Sequence, residues 1–164
     1  MKKFRIRALI LIILSSISSL CFAATSTTTF TVNATVSDSC SVSANNLSFG
    51  SYEPTGITNL DETTTISVTC TLGTVYNTGL DAGTGSGATV TTRKMTSGSD
   101  LLNYSLYSNV THTTVWGDTV GVNTMPGVGT GSAQNLTVYG RIPSGQSSVP
   151  AGSYSDTITV TVTY

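Results

Sequence analysis

Few side chains in this sequence have the type and spacing that catalysis requires. His112 is the single histidine and lies in a polar, Thr-rich stretch, so we expect it to be a solvated loop residue. Asp61 and Glu62 are adjacent, and because neighbouring residues of a strand point to opposite faces, we predict two separate surface charges. The glycine-rich run 83–87 is followed by neither a helical pattern nor a Gly-Lys-Ser/Thr ending, which indicates a turn and not a phosphate-binding loop. The sequence therefore predicts no enzyme, no cofactor and no metal site.

The three cysteines indicate an exported protein with one disulfide. Cys21 falls at the end of a basic, then apolar, then small-residue stretch that is typical of a secretory signal peptide, predicted as residues 1–23 with Ala24 as the mature start. Lipidation of Cys21 is the alternative, and the bulky leucine before it disfavours that interpretation. Export leaves Cys40 and Cys70 in an oxidising compartment, where we predict that they pair with each other.

Composition narrows the class of protein further. Without the predicted leader the chain has 141 residues, with three cations against eight anions and a net charge of −5. Nucleic-acid binding relies on clustered Lys and Arg, so we expect no nucleic-acid partner. No apolar stretch after the leader reaches the roughly 20 residues that a membrane-spanning helix needs. The 31 Thr and 16 Gly that remain combine a strand-favouring residue with a turn-permitting one, which predicts one all-β domain with a thin core.

Apolar and polar residues alternate with a period of two along most of the mature chain, and this predicts an immunoglobulin-like β-sandwich. Between Ala44 and Leu47 the apolar positions shift from even to odd numbers, as expected of an edge strand that bulges or crosses between sheets. Loops are predicted at 117–131 and 143–152, and a short strand at 113–116. The other predicted strands are 30–36, 40–44, 66–70, 76–82, 88–93, 102–106, 136–142 and 158–164.

The last predicted strand has no successor in the sequence that could pair with its outer edge. Such an edge exposes unpaired backbone groups beside an apolar groove, which invites association with another strand. Segment 28–36 has the matching alternation and could supply that strand to another molecule. The alternative is that it forms an ordinary first strand of its own domain.

Several short motifs resemble those of spore coat protein U domain proteins, the group that includes subunits of archaic, Csu-type chaperone-usher pili. The resemblance covers nearly all of the mature chain. Its motifs are Thr29–Val32, Leu47–Tyr52, Val68–Cys70, Leu80–Gly83, Leu102–Tyr107, Trp116–Asp118, Tyr139–Pro143 and Pro150–Thr157.

The resemblance implies an incomplete immunoglobulin-like pilin, residues 40–164, preceded by a donor-strand extension, residues 24–39. A periplasmic chaperone would hold the subunit, and an outer-membrane usher would polymerise it with neighbouring pilin subunits into a surface fimbria that supports adhesion or biofilm formation. The implied donor residues are Phe30, Val32, Ala34 and Val36. The implied edge of the acceptor groove is Ile158, Val160, Val162 and Tyr164.

Two other functions compete with the pilus subunit at this stage. One is a secreted coat protein that tucks its own N-terminal strand into its own groove, although the short link 37–39 disfavours that return. The other is a surface- or glycan-binding module in which Tyr107, Trp116 and the loop 117–131 form the contact. We expect these aromatic residues to belong to the core instead.

Overall fold

A computed structural model describes residues 22–164 of the chain. The predicted leader, except for its last two residues, lies outside the described residues, and so does Cys21. The described chain divides into an N-terminal segment, residues 22–35, and a body that begins at residue 36. Every residue of the N-terminal segment is exposed, and none is part of a strand. Segment 28–36 therefore forms no first strand of the domain.

Residues 36–164 form eight strands in two antiparallel sheets, and residues 22–164 contain no helix. The strands are β1 (Cys40–Ala44), β2 (Leu60–Cys70), β3 (Val75–Leu80), β4 (Arg93–Ser97), β5 (Asp100–Tyr107), β6 (Met125–Val128), β7 (Gln134–Ile142) and β8 (Val160–Thr163). The larger sheet has the order β1-β2-β7-β5-β4, and the smaller sheet has the order β6-β3-β8. The predicted all-β immunoglobulin-like class is confirmed. Within these residues there is no helix long and apolar enough to span a membrane.

The core lies between the two sheets and follows the predicted alternation. In β5 the side chains of Leu102, Tyr104 and Leu106 are buried, while the residues between them are partly exposed. Because side chains of a strand alternate between its faces, a single strand contributes three residues to one layer of the core. The buried side chains of β2 and β7 extend this layer, and those of β3 face it from the smaller sheet: Ile66, Val68, Cys70, Val138 and Ile142, with Tyr76 and Leu80 opposite.

The predicted disulfide is confirmed. Cys40 and Cys70 are directly opposite each other in the β1–β2 ladder and are bonded. The bond closes a loop over a sequence separation of 30 residues, which limits the freedom of the unfolded chain. The disulfide thus attaches β1, an edge strand, to β2, the next strand of the larger sheet.

Three strand predictions are wrong in detail. Residues 88–92 form a turn in which Thr89 and Thr92 bond to each other, and the strand begins only at Arg93. The predicted loop 117–131 contains β6, whose Pro126 is tolerated because β6 is an edge strand. The predicted last strand forms a ladder only over Val160–Thr163.

Candidate strand-binding groove

Of the four edge strands of the two sheets, β1 and β8 lie side by side with their open edges adjoining. β1 is an edge strand of the larger sheet, and β8 is an edge strand of the smaller sheet. No other strand of residues 36–164 pairs with the outer edge of either. The sandwich is therefore open along this side.

The backbone of β8 presents alternate residues to the open edge. Thr159 accepts a hydrogen bond from the backbone N–H of Asp81, just beyond the end of β3. Because successive residues of a strand direct their N–H and C=O groups to opposite sides, Thr161 and Thr163 also face β3. The N–H and C=O groups of Val160 and Val162 consequently point away from β3, toward the open edge.

The backbone of β1 shows the same arrangement on the other side of the opening. Ser39 accepts from the N–H of Thr71, and the N–H of Asn45 donates to Thr65, so the odd-numbered residues face β2. Val42 and Ala44, in even positions, direct their backbone groups to the open edge. Two rows of unpaired donors and acceptors therefore flank the same opening.

An apolar groove of about 560 Å³ lies between these edges. One lip is the segment 44–49, which follows β1, and the other lip is the segment 154–160, which leads into β8. The floor is formed by core side chains of both sheets, among them Ile66, Leu80 and Leu106. Its remaining lining residues are Thr64, Met95, Tyr104 and Val138. Hereafter this cavity is called the groove.

A second cavity of about 690 Å³ adjoins the groove and shares part of its wall. The shared residues are Leu47, Ser48, Phe49, Met95 and Tyr154. The second cavity continues between the segments 50–54 and 149–153, where Tyr52 donates a hydrogen bond to the carbonyl of Pro143 at 2.8 Å. The opening between the sheets is thus longer than the groove alone.

Leu47 and Phe49 form a lip because the chain leaves the sheet after Ala44. The β1 ladder ends there, and both side chains then pack on the core from above β7. The shift from even to odd positions marks this departure, not a bulge or a strand that crosses between sheets. Gly140 of β7 makes the close approach feasible, since a Cβ there would lie 2.5 Å from Leu47 Cδ2 and 2.7 Å from Phe49 Cζ. Phe49 also packs edge-on against Tyr104, with ring centroids 6.2 Å apart.

Asp156 positions the other lip. Its carboxylate accepts hydrogen bonds from the Tyr104 hydroxyl at 2.8 Å and from the Thr84 N–H and hydroxyl at 2.8 and 2.9 Å. Burial, together with the hydrogen bond to Asp156, raises the pKa of Tyr104, which therefore stays protonated and donates. Gly83 lies against the Asp156 carboxylate with a φ of 78°, a conformation that favours glycine.

A second carboxylate holds the start of β8. Asp81 Oδ1 accepts from the backbone N–H groups of Gly83 and Thr159, both at 3.0 Å. Burial by itself raises the pKa of Asp81, but the hydrogen bonds from Thr159 and Gly83 outweigh it, so the pKa is lowered. The side chain remains ionised and fixes the segment from which Ile158 and Val160 line the groove.

Arg93 was not predicted from the sequence to have a structural role. It belongs to the frame, by which we mean the packed and hydrogen-bonded part of the sandwich outside the groove. Its side chain is fully buried and donates to the carbonyls of Asp81, Val90, Leu80 and Trp116 at 2.7 to 2.9 Å. Burial lowers its pKa. No sequence pattern distinguishes a buried arginine that bonds backbone carbonyls from a solvated one. We call Arg93 and these four carbonyl partners the Arg93 network.

The predicted acceptor residues occupy different parts of the opening. Ile158 and Val160 line the groove, and Val162 packs against the core cluster. Tyr164 is 60% exposed. Their role as the edge of an acceptor site stays a prediction.

The predicted donor residues are all solvent-exposed. Phe30, Val32 and Val36 are 86%, 80% and 83% exposed, and Ala34 is exposed as well. An exposed phenylalanine and two exposed valines in even positions therefore form an apolar stripe that is largely uncovered. Whether this stripe is a donor strand stays a prediction at this point.

The link between the donor segment and β1 is held by side chains of the β2–β3 turn. Thr74 donates to Asp38 at 2.6 Å, and Thr71 donates from its side chain to the carbonyl of Ser37 and from its backbone to that of Ser39. The predicted short link 37–39 is therefore an anchored segment of the body.

The prediction that His112 is solvated is wrong. Its side chain is only 8% exposed, because the ring packs edge-on against Tyr107 and Tyr139, which face each other across β5 and β7. Its Nε2 atom lies 3.8 Å from Asp61 and has no hydrogen-bond partner among residues 22–164. Asp61, predicted to be an isolated surface charge, accepts two hydrogen bonds of 2.6 Å from Arg141, which lower its pKa.

The remaining candidates belong to the frame. Trp116 is fully buried and donates from Nε1 to the carbonyl of Thr78 at 2.8 Å, so the expectation that it is a core residue is confirmed. The glycine-rich run 83–87 forms bends and a turn, as predicted. Within residues 22–164, no three His, Cys, Asp or Glu side chains are grouped as metal ligands.

Comparisons with known proteins agree with this architecture. The family model described as Spore Coat Protein U domain matches residues 26–161. Protein U of Myxococcus xanthus is 37% identical over 157 residues, with 87% of each chain covered. A solved structure of the CsuC-CsuE chaperone-tip adhesion subunit pre-assembly complex, from the archaic chaperone-usher Csu pili of Acinetobacter baumannii, contains a chain that is 23% identical, with a TM-score of 0.58. That match covers 79% of this chain but only 40% of the other, so it indicates a shared fold within a longer protein.

Proposed function

Since the chain belongs to the spore coat protein U domain family, a family of structural proteins and not of enzymes, we propose that it is a pilus subunit that polymerises by donor-strand exchange. In this proposal the segment 28–36 of one subunit enters the groove of the next. Phe30, Val32, Ala34 and Val36 face the core, and the intervening residues face solvent. The contact is head to tail, so it propagates as an open fibre.

The observation that carries this proposal is the pair of unpaired edges beside an apolar groove. An inserted strand would pair with the outward backbone groups of Val160 and Val162, and its alternate side chains would enter the groove above its apolar floor. Each valine or phenylalanine fully buried in this way contributes roughly 1.5–3 kcal/mol. Three such positions and Ala34 on one face give an assembly contact that is both apolar and specific in register.

The anchored link favours a neighbour as the recipient over the same chain. To enter its own groove, the segment before Val36 would have to reverse direction beside β1. Ser37, Asp38 and Ser39 are instead held at the β2–β3 turn by Thr71 and Thr74. A self-complemented coat protein would first have to break these bonds, and this makes it the weaker alternative.

Export and assembly factors follow from the same proposal. A free groove exposes apolar surface and strand edges, which are prone to aggregation until they are covered. A periplasmic chaperone would cover the groove before assembly, and an outer-membrane usher would exchange it for the donor strand of the next subunit. The resulting fimbria lies at the cell surface and supports adhesion or biofilm formation.

Electron microscopy of the exported full-length protein tests the proposal. We expect thin unbranched fibres, together with a ladder of oligomers that resist SDS at room temperature and dissociate on heating. A variant that lacks residues 24–36 should retain the disulfide and yield monomers only. A wild-type product that remains monomeric, with residues 28–36 protected from hydrogen exchange, would contradict polymerisation and support the self-complemented coat protein.

A further inference from the structure

An exposed apolar patch lies where the donor segment leaves the body. Leu72, Val75 and Val128 are 77%, 67% and 53% exposed. Val75 and Val128 are directly opposite each other in the β3–β6 ladder, and Leu72 precedes Gly73, whose N–H donates to the carbonyl of Gly129 next to Val128. We call these three residues the exit patch.

The exit patch adjoins the link 37–39. Thr71 and Thr74, which bond this link, flank Leu72 in the same turn, and Thr74 directly precedes Val75. Tyr76, the next residue of β3, is buried, so by alternation Val75 points to the outer face of the smaller sheet. The patch is therefore an outward-facing apolar surface at the root of the donor segment.

From this arrangement we infer that the exit patch docks against the rim of the groove of the neighbouring subunit, a second copy of this chain. The inference rests on the proposed donor-strand exchange. Val36 is the last donor residue, and only three residues separate it from Cys40, which is fixed in β1 by the disulfide. An extended chain spans at most about 3.6 Å per residue, so Val36 and Cys40 are no more than about 14 Å apart.

This short distance limits which surface of the donating subunit can meet the neighbouring groove. When Val36 is seated in a groove, the rim of that groove must lie beside the β2–β3 turn, because the link is bonded to Thr71 and Thr74. The exit patch includes Leu72 of this same turn, so apolar surface of the donating subunit lies beside that rim. Its burial against the rim gives two neighbours a preferred relative angle, in addition to the inserted strand.

Paired substitutions in the full-length chain test this inference. Val75→Asp with Val128→Asp places two charges in the patch, and Val122→Asp is the matched control. Val122 is 78% exposed in the loop before β6, and this loop packs against Gly79, about 13 Å along β3 from Val75. A second pair, Val75→Thr with Val128→Thr, removes apolar surface while it retains the β-branched shape and guards against misfolding of the charged pair.

Two measurements separate docking from strand insertion. The SDS-resistant ladder reports insertion, and the spread of angles between successive subunits in negatively stained fibres reports docking. We expect the ladder to match the wild type in all variants and the angular spread to widen at least twofold in the two paired variants, but not in Val122→Asp. A wild-type chain without a ladder overturns the proposed function, and this inference with it.

Two further outcomes would overturn the docking inference alone. One is a normal ladder with wild-type angles in both paired variants. The other is a lower yield of exported subunit from the paired variants, with wild-type angles in the fibres that do form, because the patch would then contact an export factor and not a neighbouring copy.

Discussion

The Arg93 network and the groove lie in the same sandwich but differ in their backbone hydrogen bonds. Around Arg93, the backbone carbonyls that meet in the interior are all hydrogen-bonded to one buried guanidinium. Along the groove, the outward backbone groups of two edge strands have no strand beside them among residues 36–164, and core side chains line an open cavity. One part of the sandwich is thus fully hydrogen-bonded, and the other leaves the open edges that the proposed donor strand would pair with.

The two regions are connected through the lip 154–160. Arg93 bonds the carbonyl of Asp81, and the carboxylate of Asp81 holds the N–H of Thr159. Asp156 is held in turn by Tyr104 and Thr84. These bonds hold the lip in place at the side of the groove. Substitutions in the frame should therefore reduce stability, whereas substitutions in the groove should reduce assembly.

The largest expected effect is on the frame. Arg93→Met leaves four interior carbonyls without their donor, and we expect the free energy of unfolding to fall by about 3–5 kcal/mol. Urea denaturation of the exported monomer measures this loss. Lys94→Met is the matched control, because Lys94 is only half-buried and makes one hydrogen bond, to Ser86. Equal losses in the two variants would contradict the claim that the Arg93 network stabilises the fold more than a half-buried side chain does.

The second effect concerns the attachment of β1. Replacement of both Cys40 and Cys70 by Ser should lower the free energy of unfolding by about 3 kcal/mol, since the unfolded chain regains the freedom of the closed loop. Reduction of the wild-type protein with dithiothreitol should give the same shift in melting temperature as the double substitution. A melting temperature that does not change with reductant would contradict the claim that the attachment of β1 by the disulfide stabilises the fold.

The third effect should appear in assembly more than in stability. Gly140→Ala adds a methyl group beneath Leu47 and Phe49, and because the atoms that it meets are the ends of two side chains and not backbone, we expect a stability loss of only about 1 kcal/mol. The displaced lip should reduce the SDS-resistant ladder several-fold.

Leu47→Ala in the same chain removes the nearer of the two side chains and provides the control, while Phe49 Cζ still lies 2.7 Å from the added methyl group. The ladder should recover in part in the double variant, because the added methyl group then displaces Phe49 alone. A ladder that is insensitive to both changes would show that the position of the lip does not govern strand insertion.

The smallest expected effect is a pH dependence away from the groove. The hydrogen bonds from Arg141 lower the pKa of Asp61 below its usual 3.8, so the carboxylate stabilises the fold above that pH. The contribution is lost as the pH falls through the lowered pKa of the folded state. Asp61 is 40% exposed, and solvent screening limits the effect to about 1 kcal/mol or less.

Denaturation of Asp61→Asn at neutral pH and at about pH 3 measures this dependence. The difference in stability from the wild type should be present at neutral pH and should shrink in acid. Glu62→Gln removes the neighbouring carboxylate, which has no ion pair among residues 22–164, and should show no such dependence. An acid dependence of equal size in both variants would contradict the assignment to the Arg141 pair.

Regular alternation made much of the frame predictable. Strand β5 was predicted by the alternation of Leu102, Tyr104 and Leu106, and the pairing of β1 with β2 was predicted by the two cysteines. Prediction failed where the local sequence pattern disagreed with contacts made in the folded chain. Ala88 and Val90 resemble the start of a strand, but their segment turns so that the Val90 carbonyl can meet Arg93. Pro126 argued for a loop, and only the edge position of β6 makes a strand permissible there.

The candidate site was predictable only in part, for a physical reason. The alternation at Ile158, Val160 and Val162 indicated an apolar face, and the structure directs two of these residues into the groove. The opposite lip depends on the approach of Leu47 and Phe49 to Gly140, a contact across more than 90 positions of sequence. The burial of His112 likewise depends on the meeting of Tyr107 and Tyr139 across two strands. Such long-range contacts leave no periodic signal in a single sequence.

The central claim is that the groove binds the even-numbered face of segment 28–36, and a comparison of three substitutions tests it most directly. Phe30→Asp and Val32→Asp each place a charge against an apolar floor, where desolvation has no compensating partner, whereas Thr31→Asp should face solvent. The measurement is the SDS-resistant ladder of each exported variant, with monomer yield as the folding control. We expect the ladder to disappear in the first two variants and to persist in the third. Loss of the ladder in Thr31→Asp alone, or its persistence in all three, would contradict the account.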